Sequence, residues 1–373
     1  MTILDFDALE AARARQRDAD PALPALLLAA QDALDVTPLS VTDKPADRLA
    51  PSGDPHDYVS LGPYWWPNPD TPDGLPWVRH DGETNPAFHD TDHARLHTMQ
   101  RAVVRLALAW FYAGERRYAD HAAAMLRRWF LDPATRMNPH LAYGQSIPGR
   151  CEGRGIGLID TRGLAVMLDT VRLLAGSPAW TPGDHDALRA WFADFLHWMR
   201  DSEHGRDEAR QHNNHGTWYD VQIAAFALFT DQPDVARAQL QAVPERRIAA
   251  HIEPDGRQPH ELARTRSLSY SVMNLVGHGY LARLGEAVGI ELWHWSARDG
   301  RSIRSAVDFL LPHLADAAPW AWPQITPIEP TGAAELLRLA ASRYPEPRYR
   351  EAVRRLDAAA PPPAEVAALF PLP

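Results

Sequence analysis

Cysteine is almost absent from this sequence: of 373 residues, only Cys151 carries a thiol. One thiol closes no disulfide within the chain and builds no cysteine-based zinc centre. Basic charge is also short, with 38 Lys and Arg against 48 Asp and Glu and a formal net charge of −10. A partner with a polyphosphate backbone calls for a basic face, so nucleic acid is disfavoured. The same balance weighs less heavily against an anionic sugar polymer, because a basic cleft on an acidic protein still creates a local attractive field. No run of about 18 apolar residues occurs, so no membrane span is expected. The opening MTILDFDALE has neither a basic n-region nor an apolar h-region. The chain as it stands therefore reads as cytoplasmic, or as periplasmic or secreted if a leader has been trimmed. Gly-x-Ser-x-Gly is missing and Cys151 has no histidine close by in sequence, which speaks against nucleophilic hydrolysis.

What is present is helical period. Hydrophobic residues make up 45% and charged residues 23%, the balance of a globular protein and not of a disordered one. Leu96, Met99, Val103, Leu106 and Trp110 step by three and four along 94–113. Leu188, Phe192, Phe195 and Met199 do so along 184–200, a helix with a legible start in Thr181 as N-cap, Pro182 and Asp184. Further helical windows are 6–17, 23–34, 116–130, 158–175, 217–230, 233–250, 260–285, 300–314, 331–343 and 346–358. No run alternates convincingly as a strand. The pattern predicts an all-α chain forming a single domain over 1–373, an (α/α) toroid or incomplete barrel of about six or seven helical hairpins. A right-handed solenoid of helix pairs fits the period equally well. Residues 51–88 break it with eight prolines alongside Tyr64, Trp65, Trp66 and Trp77, and predict an irregular, ordered segment. The Ala/Pro-rich tail 359–373 is expected to lie on the surface.

Two polar clusters invite chemistry. Gln211, His212, Asn213, Asn214, His215 and Gly216 are poor helix formers sitting between helices, where they either present side chains to a cleft or only cap helix ends. Farther on, Glu261, Arg264, Thr265, Arg266, Ser267 and Tyr270 fall in a helical window that sets Arg266 and Tyr270 four apart on one face. An arginine beside a tyrosine favours the phenolate; the plainer reading is a cation–π or packing pair. Together the clusters suit removal of the 4-O substituent of a uronate. Asn and Arg neutralise the carboxylate so that the C5 proton becomes acidic. His serves as base near neutral pH, and Tyr donates to the leaving oxygen or, once ionised, takes the proton itself. That chemistry needs no metal. His212 and His215 could pair with His251 or His260 around one, but spacing places no third ligand. Tyr64, Trp65 and Trp66 suit stacking on pyranose faces, or burial beneath a proline-rich strap.

The strings NNHGTWYD (213–220), ELARTRSLSYS (261–271) and YVSLGPYWWPNPDTPDGLPWVRHDGETNP (58–86) resemble the alginate lyase superfamily of helical-toroid lyases. The resemblance spans about 56–330 and is closest to polysaccharide lyase family 38, which includes glucuronan- and alginate-active enzymes. It implies β-elimination on an anionic uronate polysaccharide, with no cofactor and with export from the cytoplasm. Asn214 and Arg264 would neutralise the carboxylate, His215 would be the base and Tyr270 the acid. Asn213 and Arg266 would contact substrate, as would Gln145 and Arg154 from a further similar stretch, YGQSIPGRCEGRGIGLID (143–160); a Gly-rich turn with solvated arginines explains that stretch as well. Tyr270 follows Arg264 by six residues, one fewer than in alginate lyases of family 5, so strict mannuronan specificity does not follow. The rival readings are a helical-toroid glycoside hydrolase using two of Glu152, Asp160, Asp220 and Glu261, and a non-catalytic carbohydrate-binding protein. Nothing in the sequence sets an oligomeric state.

Overall fold

The computed structural model describes residues 3–16, 22–316 and 318–372. The chain divides into two compact units. The first comprises Met1–Ala29, Gln211–Leu228 and Gln232–Pro373, the second Ala30–Arg210 and Phe229–Asp231. Helices dominate both. Among the described residues, strands are confined to two short pairs, Val59–Leu61 parallel to Tyr143–Ser146 and Trp65–Trp66 antiparallel to Val78–Arg79. The all-α expectation holds. No described helix is long and apolar enough to cross a membrane.

In the second unit, helix Asp92–Ala113 buries Leu96, Met99, Val103 and Leu106 as their spacing predicts. It stops at Gly114, whose φ of 70° no side chain adopts cheaply, and doubles back into helix Arg116–Leu126. Helix Pro182–Asp201 starts at the expected Thr181–Asp184 capping box. Arg127 donates to both Asp184 oxygens, at 2.8 and 2.6 Å, and holds that carboxyl well below its ordinary range. The expected helix over 158–175 is instead a 3-10 stretch, Gly155–Thr161, followed by helix Leu164–Val171. This stretch runs close to the adjacent strand: a Cβ on Gly157 would sit 2.5 Å from the Gly144 carbonyl oxygen. Residues 51–88 follow an irregular path, as their prolines require, apart from the short strands.

In the first unit, helices Asn214–Phe229 and Ser267–Ala287 are buried on nearly every face, which marks them as the unit's centre. They approach closely where Gly277 faces Thr217 and Trp218: a Cβ on Gly277 would lie 2.9 Å from Thr217 Cγ2. The Trp218 and Tyr280 rings meet edge to face at 5.5 Å. Two windows differ from expectation. The 233–250 window breaks at Pro244, which has no N–H to give, into helix Pro233–Gln241 and the wider turn Pro244–Ile248. The 260–285 window breaks into Pro259–Leu262 and Ser267–Ala287. The tail does not merely lie on the surface. It forms helix Ala364–Leu369 with Val366, Leu369 and Phe370 buried, because those apolar side chains pack inward and Phe370 stacks on Tyr280.

Candidate active site

The first unit holds Asn214, His215, Arg264 and Tyr270, and one carboxylate, Glu261, bonds to Asn214. Helix Asn214–Phe229 begins in the Asn-Asn-His cluster, with the Asn213 side-chain oxygen accepting the His215 backbone N–H at 3.2 Å. One residue on, Glu261 accepts the Asn214 backbone N–H at 2.6 Å and its side-chain Nδ2–H at 2.8 Å. Glu261 and Asn214 are 1% and 0% exposed, so neither bond competes with water. Burial pushes the Glu261 carboxyl up; the two Asn214 donors and then the charges of Arg264 and His215 pull the other way. Asn214 Oδ1 is buried and has no partner among the described residues.

The turn that presents these groups is braced from below. Arg247, 1% exposed, donates through Nε and Nη2 to Asp220 on the same helix and through Nη1 to the Gln211 carbonyl. Gly216 leaves room for it. A Cβ there would lie 2.2 Å from the Gln211 oxygen and 2.3 Å from Arg247 Nη1. The Asn-Asn-His-Gly string therefore needs its glycine for space. Asp220, one of the hydrolase candidates, is fully buried and occupied by Arg246, Arg247 and Gln239.

Across the break, Arg264 Nη2 donates to the Tyr270 hydroxyl at 3.0 Å while its guanidinium carbon stands 3.9 Å from the centre of that ring. The helical spacing paired Arg266 with Tyr270. In the structure the arginine that meets the phenol is Arg264, because the helix starts only at Ser267 and Arg264 folds back from the turn before it. Arg266 contributes backbone: its carbonyl accepts the Tyr270 N–H at 3.0 Å, and it bridges to Gln324. Gln324 Oε1 accepts the N–H groups of Leu268 and Ser269, and Trp320 donates to Ser267 Oγ at 2.8 Å. Residues 320–324 thus hold the start of the Tyr270 helix. Sequence reasoning missed them, although Pro-Trp-Ala-Trp-Pro-Gln repeats the Pro/Trp composition of 51–88.

The remaining sugar-contact candidates lie in the second unit. Tyr64, Trp65 and Trp66 are half-buried, not core. Trp65 lies beneath the guanidinium groups of Arg150 and Arg154, at 5.1 and 5.9 Å from its ring centre. Gln145, with φ of 50°, is 5% exposed. Its Nε2 donates to Asp160 at 2.9 Å, and its Oε1 and main-chain oxygen accept from Arg154 at 2.9 and 3.1 Å. Gln145 thus bridges Asp160 and Arg154. Asp160 also accepts from Tyr58 and Ser60, while Glu152 is exposed. The carboxylates of a hydrolase reading are thus bonded in place or on the surface. A cavity of about 190 Å³ in this unit is lined by Lys44, Arg48, Asp92 and Arg95. Lys44 is spent there on three carbonyl oxygens and Asp92. Among the described residues, no three or more His, Cys, Asp or Glu side chains group to hold a metal ion.

The alginate lyase family model matches residues 40–320 of this chain. No curated protein matches it. Among solved structures, an alginate lyase from Bacteroides ovatus is 38% identical, with 100% of this chain and 99% of that one covered and a TM-score of 0.94. Alginate lyase A1-III from Sphingomonas species A1 is 16% identical, with 100% and 96% covered and a TM-score of 0.65. An alanine-for-histidine variant of A1-III complexed with tetrasaccharide is 17% identical, with 100% and 95% covered and a TM-score of 0.65. The A1-III likenesses are ones of fold. All three span the full chain and carry the (α/α)-toroid class expected from the sequence.

Proposed function

The chain belongs to the alginate lyase family, and from that premise we propose that its β-elimination is carried by Asn214, His215, Arg264 and Tyr270. The protein is a polysaccharide lyase acting on 1,4-linked uronic-acid polymers. One observation supports this assignment above the others: the Arg264 guanidinium donates to the Tyr270 oxygen. A charged donor at that distance stabilises negative charge on the oxygen, so the phenol is equipped to hold and return a proton. Asn214 and Arg264 offer N–H groups to the substrate carboxylate, which takes up charge as C5 loses its proton. In the elimination the C5–H electrons form the C4=C5 double bond, the C4–O4 bond breaks and O4 leaves protonated. No water is consumed.

In mannuronate and glucuronate the C5 hydrogen and O4 lie on the same side of the ring. One group there takes the first proton and returns it to O4, and the Arg264–Tyr270 pair suits that double task. The favoured substrates are accordingly glucuronan and polymannuronate. In guluronate the two lie on opposite faces, which calls for His215 as base and Tyr270 as acid. Trp65 and Arg154 of the second unit are assigned to sugar binding, through an aromatic face and a fixed positive charge.

Mannuronan, guluronan, glucuronan and a hyaluronan-type polymer, each followed by the ultraviolet absorbance of the unsaturated uronate, test the proposal. Absorbance from mannuronan or glucuronan that Tyr270→Phe abolishes is the expected result. New reducing ends without absorbance would point to hydrolysis and sink it.

A further inference from the structure

Glu261 takes no part in the elimination as written, yet it is bonded directly to one of the groups that do. Both its oxygens are taken by two donors of a single residue, the main-chain and side-chain N–H of Asn214. That arrangement couples the side-chain orientation of Asn214 to the first turn of its helix, since one carboxylate accepts from both. A carboxylate suits this pairing: both facing groups are donors and both facing atoms accept, whereas a glutamine would set an amide hydrogen against one of them. Burying such a charge is costly, and burial does push this carboxyl up; the two Asn214 donors and then the Arg264 guanidinium act against that cost. Glu261 sits at the end of helix Pro259–Leu262, two residues before the turn that sends Arg264 back to Tyr270. It ties the two clusters of the site to each other.

We propose that Glu261 is a positioning residue of the lyase, acting through Asn214: it locks the amide so that the remaining amide hydrogen is presented in one direction. The inference rests on the assignment of Asn214 to the substrate carboxylate. It also explains why the Glu-x-x-Arg spacing accompanies the Asn-Asn-His string, since the glutamate and the arginine serve opposite halves of one site.

A double-mutant cycle in kcat and KM tests it, run on the polymer the wild-type protein cleaves. Glu261→Gln should lower kcat by about 10- to 100-fold with KM little changed, the loss typical of a misplaced but present group. Glu261→Asp should recover part of the loss. Asn214→Ala combined with Glu261→Gln should be no slower than Asn214→Ala alone, because the carboxylate has nothing left to position. Losses that multiply, or a Glu261→Gln protein within about twofold of wild type, overturn the proposal. Should Glu261→Gln fail to fold, Glu261→Asp carries the same cycle; if neither folds, the role is structural and the proposal fails. If instead Asn214→Ala and Tyr270→Phe both turn over at the wild-type rate, the site assignment itself is at fault.

Discussion

Arg264 meets Tyr270 twice, once with an N–H on the phenolic oxygen at 3.0 Å and once with its flat guanidinium 3.9 Å from the ring centre. The two contacts have different chemistry. The first acts on charge at the oxygen, the second fixes the ring in place.

Tyr270→Phe keeps the ring, its packing and the guanidinium contact, and removes only the oxygen that exchanges protons. We expect kcat to fall more than about a hundredfold with KM nearly unchanged, the loss of a general acid or base. Steady-state formation of unsaturated product measures it. A Tyr270→Phe protein that retains a tenth or more of the wild-type rate would remove Tyr270 from the mechanism.

Arg264→Lys separates the two contacts. Lysine keeps the charge but has neither the planar face nor the fork of donors that lets one side chain stack and donate together. Turnover should fall about tenfold or more, with Arg264→Ala lower still. Equal rates for the lysine variant and wild type would show that charge alone suffices.

How far the sequence foretold this site differs from residue to residue. The helices at Asp92–Ala113 and Pro182–Asp201 were legible because period and capping are local properties. The break before Ser267 was not, because it depends on Gln324 and Trp320, more than fifty residues away, taking up the donors and hydroxyl at the helix start. Helical spacing therefore pointed to Arg266, while the motif pointed to Arg264, whose guanidinium bonds the phenol. Glu261 was noted only as a possible hydrolase carboxylate; nothing local in its neighbours reveals that both its oxygens face Asn214. The left-handed backbone of Gln145 and its bonds to Asp160 and Arg154 were not legible either, because they join residues spread over sixteen positions.

Gly216→Ala tests the bracing of the turn. The added methyl would lie at the Arg247 guanidinium and the Gln211 oxygen, so the Arg247–Gln211 bond must open or the helix start must shift. Overpacking of this kind costs about 1–3 kcal/mol. Alanine's better helix propensity returns less than about 1 kcal/mol of that. Chemical denaturation should show a net loss of stability, and turnover should fall with it because Asn214 and His215 ride on the same turn. An alanine variant as stable as wild type would mean that the turn relaxes freely.

Acid sensitivity should come from a different pair. His251 and His278 lie edge to face with ring centres 5.9 Å apart, 2% and 0% exposed. Burial, then the neighbouring His278 and Arg247, lowers His251 to about 2; burial, then Arg247, lowers His278 to about 3. In the unfolded chain both titrate near about 6.5. Between that value and the folded values the unfolded chain binds protons that the folded chain refuses, so acidification favours unfolding. Stability is fully present above about pH 6.5 and falls on the acid side by up to about 1.4 kcal/mol per pH unit for each imidazole. The fall from these two groups ends near pH 3, where His278 takes its proton in the folded state, and near pH 2 for His251. Both His278 ring nitrogens lack a hydrogen-bond partner among the described residues. A leucine at 278 therefore strands no donor or acceptor, and His278→Leu should remove close to one proton from the slope while leaving stability at pH 7.5 within about 1.5 kcal/mol. Urea denaturation at pH 7.5, 6 and 5 measures both quantities. A slope unchanged by the substitution would mean that His278 is already protonated in the folded protein, or that the loss of stability in acid arises elsewhere.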